Sequence, residues 1–330
     1  MVEVTRGDIV ESCHWGAAVI ADAHGRVADA WGDFERPVYP RSAVKAIQAL
    51  AIVETGAAAA LDITEAELAL ACASHTGEPA HTRAVGAWLA RMGLSEADLE
   101  CGAHPPYDED TAATLIRRGE APGPVHNNCS GKHTGMLATA LHRGEPTRGY
   151  AELTHPVQQR ILGILEMMTG QDLGQAPRAR DGCSIPTFAV SLGGLAVAMS
   201  RLADPDGLPD RRAEAVAQVR RAWGGHPHMV GGRGRFDTAL MTAVAGRVLT
   251  KGGAEGVHCA CLPGLGLGIA LKVEDGTARA GPVAMGALLR HVGALGEDEA
   301  KALAGHLRPP LVNRRGFAVG EVRPAAGFPS

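Results

Sequence analysis

Two patterns in this chain could carry out acyl transfer, and the first is a serine followed three residues later by a lysine. These residues are Ser42 and Lys45, in Arg41-Ser42-Ala43-Val44-Lys45. Pro40 and Ser42 predict the start of a helix here. Positions i and i+3 share a helix face, so the hydroxyl and the amine can touch. A serine hydroxyl needs a base to remove its proton before it attacks, and an uncharged lysine can be that base. The pattern is short and arises often by chance, so by itself it does not identify a catalytic site.

The second pattern is Lys251-Gly252-Gly253, at the end of a predicted strand. Ser-x-x-Lys followed far downstream by Lys-x-Gly is the order found in serine β-lactamases and penicillin-binding proteins. Those proteins also carry a second serine. At the corresponding place in this chain, Ser74 lies in a polar loop, where it could relay a proton with Lys251. The alternative for Ser74 is a helix cap, because Glu78 and Pro79 look like a helix start.

Two further segments are dense in polar side chains, residues 126–135 (HNNCSGKHTG) and residues 180–186 (RDGCSIP). Cys129, Asp181 and Cys183 could bind a zinc ion, with a neutral Lys132 or a water as the fourth ligand. No C-x-x-C pair is present, so free buried cysteines are the favoured interpretation on these residues alone. Asparagine amides in the first segment could bind the carboxylate or carboxamide of an amino acid, and Arg235 could clamp a carboxylate.

Bulk properties exclude several classes of function. The chain has 330 residues, a net charge of −4, and no basic run or basic–aromatic face, so a nucleic-acid partner is not expected. No apolar stretch reaches the roughly 18 residues that cross a bilayer, and the first residues do not resemble a signal peptide. Seven irregularly spaced cysteines argue against a disulfide framework. We therefore expect a cytoplasmic protein with no membrane partner.

Short strand-like segments at both ends of the chain flank a long helical middle. Residues 17–23 and 26–31 predict a β-hairpin, and residues 247–251, 256–261 and 268–273 predict a meander. Helical patterns occupy residues 80–92, 136–141, 156–169, 188–202, 211–223 and 236–245. This order predicts a single domain over residues 1–330, with a sheet-containing layer from residues 1–58 and 246–330 and a mainly helical part from residues 59–245.

Long, irregular motifs along nearly the whole chain resemble the bacterial asparaginases of the Rhizobium etli type, in the asparaginase II family. These motifs are PRSAVKAIQ, ASHTGE, HNNCSGKHTGML, DGCSIPTFA, GGRGRFDT and KGGAEGVHCACLPGLGLGIALKVEDG. The resemblance implies a serine β-lactamase-like α/β (α+β) fold, with an antiparallel sheet from both chain ends flanked by helices and a helical subdomain. It also implies a homodimer that hydrolyses L-asparagine to L-aspartate and ammonia.

The resemblance also implies residue roles. The catalytic residues would be two Ser–Lys pairs, Ser42 with Lys45 and Ser74 with Lys251, although Lys272 competes with Lys251 for the last position. A zinc ion that the core chemistry does not require would lie at Cys129, Lys132, Asp181 and Cys183. Candidate substrate-binding residues are Arg41, His75, Asn127, Asn128, His133, Arg235 and Gly252.

Three alternatives stay open at this stage. The same fold could serve a glutaminase or a β-lactam or D-peptide hydrolase, and it could also serve as a non-catalytic amino-acid sensor. Neither the selectivity between asparagine and glutamine nor the choice of acylated serine follows from the sequence.

Overall fold

The computed structural model describes residues 1–329, and strands cluster near both ends of that range. The strands are β1 (Val2–Arg6), β2 (Ile9–His14), β3 (Gly16–Asp22), β4 (Val27–Trp31), β5 (Pro37–Val38), β6 (Arg178–Arg180), β7 (Pro186–Phe188), β8 (Val190–Ser191), β9 (Leu249–Gly252), β10 (Val257–Leu262), β11 (Leu267–Val273), β12 (Pro310–Val312) and β13 (Ala318–Pro324).

Helices fill the middle of the chain and recur after β11. They are α1 (Lys45–Glu54), α2 (Ala57–Ala60), α3 (Glu65–Ala71), α4 (Pro79–Arg91), α5 (Glu109–Arg118), α6 (Ser130–Arg143), α7 (Pro156–Thr169), α8 (Leu192–Ala203), α9 (Asp210–Gly225), α10 (Pro227–Val230), α11 (Phe236–Ala243), α12 (Ala280–His291), α13 (Glu297–Ala302) and α14 (Ala304–Leu307). Short 3-10 helices span Arg41–Val44, Glu96–Asp98 and Pro124–His126. No helix in residues 1–329 has both the length and the hydropathy needed to cross a membrane.

The chain divides into two compact units. The first unit contains residues 1–43, 190–206 and those from Ala239 onward, and the second contains residues 44–189 and 207–238. Helix α1 belongs to the second, mainly helical unit, and helix α8 belongs to the first, sheet-containing unit.

An antiparallel sheet of five strands, in the order β4-β3-β11-β10-β9, forms the core of the first unit. Ile20 lies opposite Ile269 where β3 pairs with β11, so strands near the two ends of the chain meet at its centre. Strand β10 is buried along its whole length, as expected for a strand covered on both faces. The predicted mixed α/β class, with an antiparallel sheet from both chain ends and helices packed on it, is confirmed.

Helix α8 packs on this sheet at a position that only glycine permits. A Cβ atom built on Gly268 would lie 2.0 Å from the Ala196 carbonyl oxygen. This close approach explains why α8 belongs to the sheet unit. A second sheet of the same unit has the order β12-β13-β1-β2.

Helix α1 is the central element of the second unit. Its residues 45–52 are all buried, and it packs against α6, α7 and α9. A helix that is apolar on all sides lies in a protein interior, which accounts for the sequence KAIQALAIVE. Lys45 and Gln48 are the two polar side chains buried within it.

Candidate functional site

Ser42 lies in the first unit, directly after a strained residue. Arg41 has a φ angle of 51°, a conformation that costs a non-glycine residue free energy and that recurs at functional sites. Ser42 is part of the 3-10 helix Arg41–Val44 and is partly exposed. Because the first backbone N–H groups of a helix have no acceptor within it, this position suits an oxyanion.

The end of strand β9 contacts the backbone around Ser42 in the same unit. A Cβ atom on Gly253 would lie 2.9 Å from the Pro40 carbonyl oxygen and 3.4 Å from the Ser42 nitrogen. Gly253 thus permits a close approach that a larger residue would disturb. Its own N–H donates to the Val257 carbonyl at 2.8 Å, so it has an acceptor within the protein.

Lys251 and Lys272 were the two candidates for the second lysine, and both belong to the first unit. Lys251 is 1% exposed and its amine donates to the Gly252 carbonyl at 2.7 Å. Lys272 is partly exposed, and its amine donates to the Val273 carbonyl. Since β10 separates their strands in the sheet, only Lys251 lies on the strand that reaches Ser42. The choice of Lys251 over Lys272 as the second lysine stays a prediction.

Lys45 and Ser74 lie in the second unit and contact each other. The Lys45 amine is 1% exposed and lies 3.0 Å from the Ser74 hydroxyl, and it also donates to the Ala73 carbonyl. Within residues 1–329 Lys45 forms no ion pair with a carboxylate. The sequence did not predict this contact. The pairings of Ser42 with Lys45 and of Ser74 with Lys251 stay predictions.

The loop that carries Ser74 is held extended by backbone hydrogen bonds within the second unit. The Ser74 N–H donates to the Val230 carbonyl at 3.0 Å, and the His75 N–H donates to the Asn128 carbonyl at 3.3 Å. These two contacts explain how residues without regular secondary structure hold the Ser74 hydroxyl at the Lys45 amine.

Two of the predicted substrate-binding residues already have protein partners. The His75 ring accepts from the Gly77 N–H at 3.1 Å and contacts the Ser130 hydroxyl at 2.9 Å, and burial keeps the pKa of His75 well below its usual value. The Asn127 amide donates to the Cys101 carbonyl at 2.9 Å and accepts from the Cys129 N–H at 2.8 Å. Both residues therefore fix the loops around Ser74 and Cys129.

His133 has one ring nitrogen without a partner in residues 1–329. Its Nδ1 lies 2.8 Å from the Tyr150 hydroxyl, which accepts from the Glu100 N–H. His133 Nε2 is buried and has no hydrogen-bond partner in residues 1–329, while burial lowers the pKa of His133 to about 3. A buried polar atom without a partner is a candidate contact for a ligand.

The other predicted substrate-binding residues differ in exposure. Arg235 is exposed and makes no ion pair within residues 1–329, so its guanidinium is available for a carboxylate. The Asn128 side chain is partly exposed, and its backbone N–H donates to His104 Nε2 at 2.9 Å. Gly252 is partly exposed at the end of β9.

Three of the four predicted zinc ligands lie in contact inside the second unit. The Lys132 amine donates to the Cys183 sulfur at 2.9 Å, and the Cys129 and Cys183 thiols share a hydrogen bond. The hydrogen bond with Cys129 and the Lys132 ammonium lower the pKa of Cys183 to about 5. The same hydrogen bond, together with burial, raises the pKa of Cys129 to about 12. Asp181 acts on this cluster through its charge.

The chemistry of the donor atoms fits a soft metal, because thiolates favour zinc. The contacting donors are the two thiols and the Lys132 amine. Asp181 acts on the Lys132 ammonium through its charge, and its place as the fourth ligand stays a prediction.

The pKa of Cys183 predicts a pH-dependent contribution to stability in metal-free protein. Folding lowers the pKa of the Cys183 thiol from 9.0 to about 5. The thiolate therefore stabilises the folded state fully above pH 9, and this stabilisation is lost as the pH falls to 5. The loss of unfolding free energy in Cys183→Ser should therefore grow with pH between 5 and 9, by roughly 1 kcal/mol per pH unit. Chemical denaturation in the presence of a chelator measures it.

Cys101→Ser is the matched control for this prediction. Burial raises the pKa of the Cys101 thiol to about 12, so this thiol stays uncharged over the same range. Its effect on unfolding free energy should not vary between pH 5 and 8. An equally flat curve for Cys183→Ser would show that no thiolate forms at that position.

The positions of Tyr150 and Ser130 were not predicted. Tyr150 orients His133, and Ser130 contacts His75 and donates to the Val125 carbonyl at 3.0 Å. Ser130 lies inside the polar segment 126–135, so its neighbours were a usable signal. Tyr150 lies outside any motif, and nothing in the sequence marks it.

Comparison with known proteins gives the family. A family profile described as L-asparaginase II matches residues 2–324. With a mixed α/β fold and a buried Lys45–Ser74 pair, this match supports an amidohydrolase. The chain belongs to the L-asparaginase II family. No curated protein matches it.

Solved structures show distant likenesses. Mglu in its native form has 16% identity and a TM-score of 0.47, over 86% of this chain and 66% of that chain. A β-lactamase from Mycobacterium bovis has 14% identity and a TM-score of 0.40, over 80% and 88%. The D-alanine carboxypeptidase AmpC from Burkholderia cenocepacia has 12% identity and a TM-score of 0.39, over 79% and 88%. This chain spans 66% or less of the Mglu chains, and similarities at this level assign no activity.

Proposed function

We propose that this protein is an L-asparaginase, which hydrolyses L-asparagine to L-aspartate and ammonia through a serine-bound acyl intermediate. The observation that carries the proposal is the L-asparaginase II profile match over residues 2–324. The buried Lys45 amine at the Ser74 hydroxyl and the strained backbone before Ser42 support it as chemistry.

Ser42 is the proposed nucleophile and Lys45 the proposed base. An uncharged Lys45 amine has two hydrogens, which match its two acceptors, Ala73 and Ser74. Its lone pair then remains for the Ser42 proton, and three chain positions separate the two residues. The Ser42 oxygen attacks the side-chain amide carbon, and the C–N bond breaks as the nitrogen takes up a proton. Water then cleaves the ester and regenerates the Ser42 hydroxyl.

Ser74 and Lys251 are proposed to deliver the proton to the departing ammonia. The negative charge on the amide oxygen would be stabilised by the backbone N–H of Ser42. The Gly253 N–H is not assigned to this role, because it donates to the Val257 carbonyl.

Substrate recognition needs a cation for the α-carboxylate and donors for the amide. Arg235 is exposed and makes no ion pair in residues 1–329, so we assign the carboxylate to it. His133 Nε2 is buried without a hydrogen-bond partner in residues 1–329, so we assign it as a hydrogen-bonding contact of the substrate. Arg41, whose backbone is strained, is proposed to hold the Ser42 turn.

A zinc ion is proposed at Cys129, Cys183 and Lys132. When bound, it would supply a fixed positive centre that neutralises the thiolates. The chain's own residues perform the acyl transfer. Asp181, which acts on Lys132 through its charge, is proposed as the fourth ligand.

Ammonia release from asparagine and from glutamine, and the absorbance change when nitrocefin is hydrolysed, each measured with and without a chelator, test the proposal. We expect turnover of asparagine well above that of glutamine and none of nitrocefin, with activity retained in chelator. Preference for glutamine or nitrocefin would make the protein a glutaminase or a β-lactam hydrolase. No ammonia release together with a measurable Kd for asparagine would make it a sensor.

A further inference from the structure

Glu78, His81 and His228 form a compact group in the second unit, outside the residues that the proposed reaction uses. One ligand atom of each lies within 4.8 Å of the others. Glu78 directly precedes helix α4 and His81 lies in the first turn of that helix, whereas His228 belongs to α10. The group therefore connects two segments that are far apart in sequence, with two imidazoles and one carboxylate.

The hydrogen bond of His81 fixes which of its nitrogens carries the lone pair. His81 Nε2 lies 2.9 Å from the His228 carbonyl oxygen, which can only accept, so Nε2 carries the hydrogen. Nδ1 therefore presents a lone pair. His81 is 0% exposed, and its Nδ1 is buried with no hydrogen-bond partner in residues 1–329. A histidine that donates one N–H to a backbone carbonyl and offers the other nitrogen is the arrangement of a metal ligand.

A glycine keeps open the space beside these side chains. Gly232 has a φ of 99°, and a Cβ atom on it would lie 2.7 Å from Glu78 Oε1 and 3.1 Å from His81 Cε1. The first distance is shorter than real Cβ contacts, and the second is tighter than most of them. A side chain at this position would therefore displace its neighbours. The Glu78 carboxylate and the ring edge of His81 thus face the same small space.

Each oxygen of the Glu78 carboxylate has a distinct environment. Oε1 accepts from the Thr76 hydroxyl at 2.7 Å and from the Arg233 N–H at 2.8 Å. Oε2 lies 3.5 Å from His228 Nε2 and 3.9 Å from the Arg233 guanidinium. That guanidinium is 62% exposed and also contacts Asp108 and Asp110. Arg233 can therefore stay with the two aspartates and leave Oε2 to a cation.

We propose that Glu78, His81 and His228 bind a first-row divalent metal ion such as Zn²⁺, Co²⁺ or Ni²⁺. Two imidazoles and a carboxylate are a set that these ions bind, with remaining positions filled by water. His228 is about half exposed, so its ring can turn to complete the site. A bound ion would fix α10 and the adjoining residues 231–235, which include the exposed Arg235, to helix α4.

Cobalt binding distinguishes this site from the thiol cluster of Cys129 and Cys183. Cobalt bound to thiolates gives a strong sulfur-to-metal charge-transfer absorption, whereas cobalt on nitrogen and oxygen gives only weak bands. We expect full-length protein, stripped of metal, to bind Co²⁺ at a site without that absorption. Optical titration of the wild type and its variants measures the number of sites and their Kd.

Three variants sharpen the test. Loss of a group that merely supports a metal ligand costs about 10- to 100-fold in affinity, so His228→Ala should weaken the site at least about 100-fold. Arg233→Gln removes a cation close to Glu78 and should strengthen it by at least about fivefold. His226→Ala is the matched control, because His226 lies two residues from His228 but faces Glu65 at 4.0 Å. Its titration should equal that of the wild type.

The outcomes separate the proposal from adventitious binding. If every bound cobalt shows the thiolate absorption, or if His228→Ala binds as many ions with the same Kd as the wild type, the proposed site does not exist. Since His228 is exposed at its edge, its replacement leaves the core intact, which circular dichroism checks. The asparaginase assay is not part of this test, so the two proposals fail independently.

Discussion

Ser42→Ala should lower kcat for asparagine by about 10⁴-fold or more, with KM changed little. Loss of the attacking oxygen removes the covalent route altogether, and nucleophile variants of serine hydrolases lose activity on this scale. The Ser42 side chain is partly exposed in a short 3-10 helix, so the replacement should not unfold the protein. Initial-rate measurements of ammonia release give both constants, and calorimetric asparagine binding shows that the substrate still binds.

Mass spectrometry of acid-quenched enzyme identifies which serine is acylated. We expect an aspartyl adduct on the peptide that contains Ser42. The matched control is Ser95→Ala, because Ser95 caps a short 3-10 helix in an exposed position, and its kcat should stay within about twofold of the wild type. Full activity in Ser42→Ala, or an adduct on Ser74, would contradict the assigned nucleophile.

Lys45→Met should lower kcat by about 10²- to 10⁴-fold, the range over which a positioned general base contributes. Methionine fills a similar volume but has no lone pair to accept the Ser42 proton. The substitution also leaves the Ala73 carbonyl and the Ser74 hydroxyl without the amine that contacts them. The effect should appear in kcat more than in KM, because the amine does not contact the substrate in the proposed mechanism.

Lys301→Met is the control for the loss of a lysine in general, since the Lys301 side chain is 73% exposed and forms an ion pair with Asp298. It should leave kcat and KM at wild-type values. Thermal unfolding of both variants shows whether Lys45→Met is folded. If folded Lys45→Met turns over asparagine at the wild-type rate, the base is another residue and the lysine has a structural role.

The sequence predicted the elements whose patterns are strong. Helix α7 has the bounds predicted for residues 156–169, and the β3–β4 hairpin and the meander β9–β11 lie within one or two residues of their predicted bounds. Their hydrophobic periodicity is regular and their turns carry glycine, so local chemistry is enough. The residues 188–202 were predicted as one helix, but β8 (Val190–Ser191) precedes α8.

The finer geometry of the site depends on distant contacts that no local pattern contains. Lys45 contacts Ser74 because the Ser74 loop is held by hydrogen bonds to Val230 and Asn128. The free nitrogen of His133 depends on Tyr150, and the pKa of Cys183 depends on its contacts with Cys129 and Lys132. These effects arise only after the chain has folded, so residue types could be predicted from the sequence but not their partners.

The pairing of β3 with β11 has a consequence for how the protein is made. Ile20 cannot find its partner strand until Ile269 has left the ribosome, so the buried strand β3 must wait while most of the chain is synthesised. Contacts between such distant residues slow folding and leave hydrophobic strands exposed for longer. The helices from α1 to α9 leave the ribosome before β11 does, so they can pack together earlier. Aggregation during synthesis is therefore a hazard of the N-terminal strands, and slower translation would prolong it.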